Sequence, residues 1–256
     1  MHNHSEDHNQ PVAHNHYFDT NHYTARLQKY CEQIARFSQA GLTMFSLFDV
    51  STRQYLCLND NYARLLCDAA GGDNRTETPI SFHKGLHPDD LSGIDHAERE
   101  TYRLVGTMPS EARADYLLVT PARLRKRKGG YRLVMRRIMD FKAGRKGELW
   151  LLLIAVDVLE EKSDNFSGVP ILCNKRTKAM YCLEPGKVCQ DRKIELTERE
   201  LQVVELAGKG YTSQEIAEQL FLSIHTVATH RKNILRKCNT GNIRTVYTTM
   251  RLLGVL

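Results

Sequence analysis

Two helix-starting boxes, Thr197-Glu-Arg-Glu200 and Thr212-Ser-Gln-Glu215, constrain this chain more than any other feature. In each, the Thr hydroxyl accepts from the Glu amide while the Glu carboxylate returns a bond to the Thr amide, so both helix starts are specified locally. Behind the first box, Leu201, Val204, Leu206 and Ala207 make an inward face that ends near Gly208 or Gly210. Behind the second, Ile216, Ala217 and Leu220 do the same, and Phe221-Leu222 makes a tight turn. Ser223 then caps a third helix to about Cys238, with Val227, Ile234 and Leu235 inward and His230 or Arg231 partly so. A fourth helix, Arg244 to Leu253, carries Val246, Met250 and Leu253 on one side. From Gln219 to Leu256 there are six Lys or Arg and no Asp or Glu, which suits a polyanionic partner. Two short helices and a tight turn make a helix-turn-helix, whose later helix fits the major groove of double-stranded DNA.

Bulk properties narrow the remaining choices. With 256 residues the chain is long enough for two ordinary domains, and 41% hydrophobic against 26% charged residues is a globular composition. The net charge of +6 is too diffuse to indicate nucleic acid by itself. Seven cysteines, an odd number without a CxxC pair, form neither a disulfide framework nor a zinc site, and Cys173, Cys182 and Cys189 miss ligand spacing. No metal site is expected. The longest apolar run, Leu149 to Val156, is too short for a bilayer, and the polar N-terminus lacks a signal peptide's apolar core. The expected setting is therefore cytoplasmic, without a membrane partner. No Ser/His/Asp or Cys/His grouping and no phosphate-binding glycine loop appears, so an enzyme is not expected.

Upstream, composition divides the chain. Residues 1–22 are polar and rich in His and Asn, and read as a disordered tail; chelation by its irregularly spaced histidines is the lesser alternative. Residues 23–40 read as an amphipathic helix through Leu27, Tyr30, Cys31, Ile34 and Phe37, stopped by Gly41. In residues 41–160, strands are expected over Thr43 to Phe48, Gln54 to Leu58, Ala114 to Ala122, Tyr131 to Met139 and Glu148 to Leu159. Helices are expected from Asn59 to Leu66 and after Leu86-His-Pro-Asp-Asp90, where Pro88 enters the first turn beside two acids. Residues 161–194 hold Ser167-Gly, Pro170 and Pro185-Gly and read as a connector with a small hairpin. The cations Arg123 to Lys128, with Arg132, Arg136 and Arg137, read as a solvated strand edge rather than a second nucleic-acid site.

The order strand, strand, short helices, longer helix and three antiparallel strands resembles the PAS sensory fold, with Asn59 to Leu66, Leu86 to Asp90 and Asp157 as the more specific echoes. That resemblance implies an antiparallel sheet with short helices, serving as a sensory or dimerisation domain. It leaves room for a small-molecule ligand but identifies no cofactor, and its cofactor-binding residues are unknown. His83, His87 and His96 are haem-ligand candidates by residue type, although His87 belongs to the helix start.

Residues 195–256 resemble the LuxR-type (GerE-like) helix-turn-helix. The resemblance runs through Leu196, Thr197, Arg199, Glu200, Gly210, Glu215, Ile216, Ala217, Leu220, Ser223, Thr226, Val227, His230, Asn233, Ile234, Lys237, Asn242 and Gly254. It implies an all-α, four-helix domain whose third helix enters the major groove. Thr229 and Lys232 then stand where base edges are touched, and Ala228 stands where many members carry Lys, suiting contact with a thymine methyl or none. Thr226, His230, Arg231, Arg236 and Lys237 suit phosphate contact or helix-end packing, and Ser223 and Asn233 complete the candidate surface. Ile243 replaces a frequent Arg, and the fourth helix becomes a dimerisation element. The resulting expectation is a bacterial, homodimeric transcription regulator that reads DNA, with RNA polymerase as a candidate partner. The alternative is a signalling adaptor whose helix-turn-helix binds protein.

Overall fold

The computed structural model describes residues 25, 27–33, 44–58, 60–70, 82–159, 168–183 and 193–256. The His-rich tail, Cys189, and residues 34–40 of the helix expected over 23–40 lie outside that set. The first helix, α1, covers residues 27–33. Its Tyr30 meets the ring of Phe141 edge-on, with centroids 5.5 Å apart.

Strands β1 (Met44–Asp49) and β2 (Gln54–Leu58) form an antiparallel hairpin. Buried Asp49 closes its turn by accepting from the Ser51 amide at 2.8 Å and the Ser51 hydroxyl at 2.6 Å. Next come α2 (Asp60–Ala70), a 3-10 turn (Phe82–Gly85), α3 (Pro88–Gly106) and the single turn α4 (Ser110–Arg113). Strands β3 (Tyr116–Arg125), β4 (Tyr131–Ala143) and β5 (Leu149–Leu159) then return antiparallel, and β5 pairs with both β4 and β1. The order β2-β1-β5-β4-β3, with helices inserted between the second and third strands, is the PAS-like arrangement.

Period-two alternation gives this sheet two apolar faces. Leu118, Ala122, Leu124, Val134, Ile138, Leu152, Ile154 and Val156 turn toward α2 and α3, meeting Tyr62, Leu66, Phe82, Ile94 and Ala97. Their neighbours Leu117, Val119 and Met135 turn the other way.

Three further strands extend the sheet: β6 (Ile171–Asn174), β7 (Met180–Cys182) and β8 (Lys193–Ile194). Because β6 pairs with β3, the β3 strand lies inside an eight-stranded sheet. β6 covers only Tyr116–Val119, so the expectation of a solvated cationic edge is corrected in part, by the pairing of Arg123 and Arg136. Arg125 to Lys128 are exposed, but Arg123 binds Asp90 through Nη2 at 2.6 Å and its own amide at 2.8 Å. Arg136 is only 2% exposed. It is paired with Glu98 and lies 4.7 Å from the centroid of Phe82.

The C-terminal domain comprises α5 (Glu198–Gly208), α6 (Ser213–Leu220), α7 (Ile224–Lys237) and α8 (Ile243–Leu252). Its core of Val203, Val204, Ala207, Ile216, Val227, Ile234, Val246, Met250 and Leu253 is continuous with the second face of the sheet. The two domains thus share one apolar cluster.

Candidate DNA-binding interface

Both boxes form as reciprocal caps. Thr197 Oγ1 accepts from the Glu200 amide at 3.2 Å and Glu200 Oε2 accepts from the Thr197 amide at 2.8 Å. Thr212 and Glu215 repeat the pattern at 3.3 and 2.7 Å. Val203 is completely buried, whereas Leu201 and Leu206 are only partly so, a correction to the expected inward face of α5. At the C-terminal end of α5, Gly208 abuts Tyr247 of α8 so closely that a Cβ would fall inside the phenol ring.

The α6–α7 turn hangs on Phe221, which adopts the left-handed conformation with φ 53° and ψ 47°. The Leu222 amide closes it by donating to Ala217 O at 2.9 Å. Ser223 Oγ then accepts from the Thr226 amide at 3.0 Å and lies 2.8 Å from Thr226 Oγ1. Val227 and Ile234 anchor α7 from below.

The ten candidate residues fall into two groups. Several are engaged within the domain: Ser223 and Thr226 cap α7, Arg231 Nη1 donates to Ser213 Oγ at 3.2 Å, and Arg236 Nη2 donates to Asn233 Oδ1 at 3.3 Å. Lys237 Nζ binds Glu200 Oε2 at 2.7 Å. Burial works against ionisation of Glu200, but the Lys237 bond and the Thr197 amide together hold its carboxyl below the usual range. His230 is half-buried on the flank of the helix. Ala228, Thr229 and Lys232 are exposed, with Thr229 Oγ1 donating only to His225 O at 3.0 Å. Sequence reading passed over three further exposed residues beside them, namely Phe221, Ile224 and His225. Phe221 and Ile224 were legible as hydrophobes, but as part of a turn and a helix start they carried no sign of exposure.

The N-terminal histidines have local roles. His87 Nδ1 accepts from the Asp89 amide at 3.2 Å and so caps α3. His83 Nε2 lies 3.2 Å from Asp95 Oδ1. Tyr62 is buried and Tyr102 half-buried against the same core, and desolvation raises both phenols well above their ordinary range.

A capped helix pair joined by a tight turn, with a small polar and cationic face on the second helix, is a helix-turn-helix. Residues 195–250 match the family described as "Bacterial regulatory proteins, luxR family", so this segment is a LuxR-type helix-turn-helix domain. It is 48% identical over 44 residues to the oxygen regulatory protein NreC of Staphylococcus carnosus, covering 17% of this chain and 20% of that protein. It is 47% identical over 47 residues to the transcriptional regulatory protein LiaR of Bacillus subtilis, covering 18% of this chain and 22% of that one. The chain thus matches about a fifth of the length of these curated relatives. Among solved structures, the phage VqmA–DPO complex aligns over 91% of both chains at 16% identity with a TM-score of 0.37. A superposition that loose carries no weight, and the PAS-like description rests on the strand order itself. No helix among the described residues is long and apolar enough to cross a membrane.

Proposed function

We propose that this protein is a sequence-specific transcription regulator that binds double-stranded DNA as a homodimer, with the PAS-like domain sensing a signal or setting dimer geometry. The observation that carries the DNA reading is the exposed face of α7. It offers Thr229, Lys232 and Arg236 above a helix-turn-helix of the matched family, and no acid follows Glu218. Thr229 and Lys232 are assigned to base edges. Arg236 and Lys237 are assigned to phosphates, with Lys237 shared with Glu200 until DNA arrives. A cytoplasmic setting and a contact with RNA polymerase belong to the same reading.

The packing of α8 supports the geometric role. Thr245, Val246, Thr249 and Met250 are buried, and Pro121 of β3 and Ile171 of β6 line the small void beside them. Lys178 Nζ donates to Gly254 O just beyond the helix. Thr245 Oγ1 finds no hydrogen-bond partner there, so the contact is less than fully satisfied and suited to release. A sheet that holds α8 controls whether that helix can meet its copy, and hence the spacing of two recognition helices.

The test is selection of bound fragments from random DNA by the full-length protein near physiological salt. A two-fold symmetric motif is expected, with log affinity falling against log salt by about 0.9 per phosphate neutralised. Lys232→Ala should lose affinity mainly for the selected motif and Lys237→Ala for all sequences alike; equal, sequence-blind losses would refute the assigned reading face. Thr249→Gln, which crowds the α8 contact without changing charge, should alter dimer formation. An unchanged sedimentation profile would remove the sheet from control of assembly.

A further inference from the structure

The exposed surface of α7 divides lengthwise. His225, Thr229, Lys232 and Arg236 recur at helical spacing and form a polar stripe. Beside it lie Ile224 and Ala228, one turn apart; Ile224 is 50% exposed although it is a large hydrophobe. Phe221, two residues ahead of the α7 cap, is 96% exposed, the most exposed large hydrophobe among the described residues. Its backbone is left-handed, a conformation that strains most residues bearing a Cβ but that Gly, and to a lesser degree Asn, adopts readily. An exposed phenyl ring adds nothing to the domain's own core, and the turn would be easier to form without it. Its use lies outside the monomer.

Building on the DNA-binding reading above, we propose that Phe221, Ile224 and Ala228 form an apolar reading edge that selects thymine through its 5-methyl group in the major groove. Ile224 and Ala228 run alongside the polar stripe on α7, with Phe221 ahead of them in the α6–α7 turn, and six cations with no acid follow Glu218, so DNA meets this surface without repulsion. Among major-groove base edges, thymine alone adds a hydrocarbon group to the donors and acceptors. Side chains of phenyl, branched alkyl and methyl have no hydrogen bond to offer and discriminate by that group. Thr229 and Lys232, on the adjoining stripe, read the hydrogen-bonding edges of neighbouring pairs.

The experiment replaces each dT of the selected motif, one at a time, by dU, which removes the methyl and leaves pairing and phosphates intact. Full-length protein should bind about fourfold more weakly for each contacted methyl lost, at the same positions in both half-sites. Phe221→Asn, whose new residue suits the left-handed turn, should abolish that sensitivity while keeping the salt slope and the thermal midpoint. Indifference to every dU in a protein that still selects a motif overturns the proposal and leaves the DNA reading standing. If Phe221→Asn also leaves DNA affinity unchanged, the edge faces a protein instead. Failure to select any motif overturns the DNA reading and this inference with it.

Discussion

In the C-terminal domain, Glu200 is the one charged residue among the buried side chains, whereas the N-terminal domain closes over Asp49, Arg113 and Arg136. The pairings differ in number, and beside its one long-range ion pair to a buried carboxylate, Lys237 with Glu200, the C-terminal domain relies on local bonds. The reciprocal caps join residues three apart, from Thr197 to Glu200 and from Thr212 to Glu215. In the N-terminal domain, Arg136 reaches Glu98, Arg123 reaches Asp90, and Arg113 Nε reaches Asp140 Oδ2 at 3.0 Å. Each of these ties a strand or helix to an element distant in sequence. A small helical domain can start its helices from local signals. A domain that spans a large sheet uses buried pairs to hold helices in register against it.

The sharpest way to break this contrast is Arg136→Met. The change leaves Glu98, 12% exposed, without its cation, and removes the guanidinium from the face of Phe82. Breaking a buried pair from one side typically destabilises by about 3–5 kcal/mol. Urea unfolding should show this loss, and Arg136→Met with Glu98→Met should recover most of it. A single variant within ~1 kcal/mol of the parent would mean the pair is not structural.

That pair also marks where sequence reading stops. Arg136 sits in a strand rich in cations, and a charged strand residue is usually solvated. Its burial depends on Glu98 of α3 and on the ring of Phe82, both far from it in sequence. Neither dependence is written locally. The caps at Thr197, Thr212 and Ser223 were legible because each is a short-range bond between neighbours in sequence. The strand and helix order of the N-terminal domain was legible from alternation and breakers. The burial of Thr245 and Thr249 was not, because they look like solvent-facing residues in a one-sided apolar helix.

Gly208→Ala probes the contrast from the other side. An added Cβ collides with the root of the Tyr247 ring, so α5 and α8 must separate. Overpacking of this kind costs about 1–3 kcal/mol. The loss should appear as earlier exchange of C-terminal amides, with α2 and α3 unchanged in protection. Equal loss across both domains would show that the shared apolar cluster makes them one cooperative unit.

Acid should act on the C-terminal domain through Glu200. Its carboxyl is held below the ordinary range in the folded protein, so its contribution is present above the unfolded value and disappears as pH falls through the folded one. Lys237→Met removes the main favourable partner and leaves burial opposing ionisation. The acid-unfolding midpoint should therefore move to higher pH in that variant. A midpoint that stays in place would reduce the Lys237–Glu200 bond to a surface contact.

The smallest effect expected is Thr212→Ala. Thr212 is exposed and touches no part of the core, so the change removes only the cap of α6. A lost cap costs about 1 kcal/mol, with a range of about 0.5–2. Thr197→Ala should exceed it, since Glu200 is buried and depends on the same box, whereas Glu215 is exposed. Chemical denaturation of the two variants gives the order directly. If Thr212→Ala is the more damaging, α6 is held chiefly by its cap, and local order rather than burial governs how firmly α7 is presented to DNA.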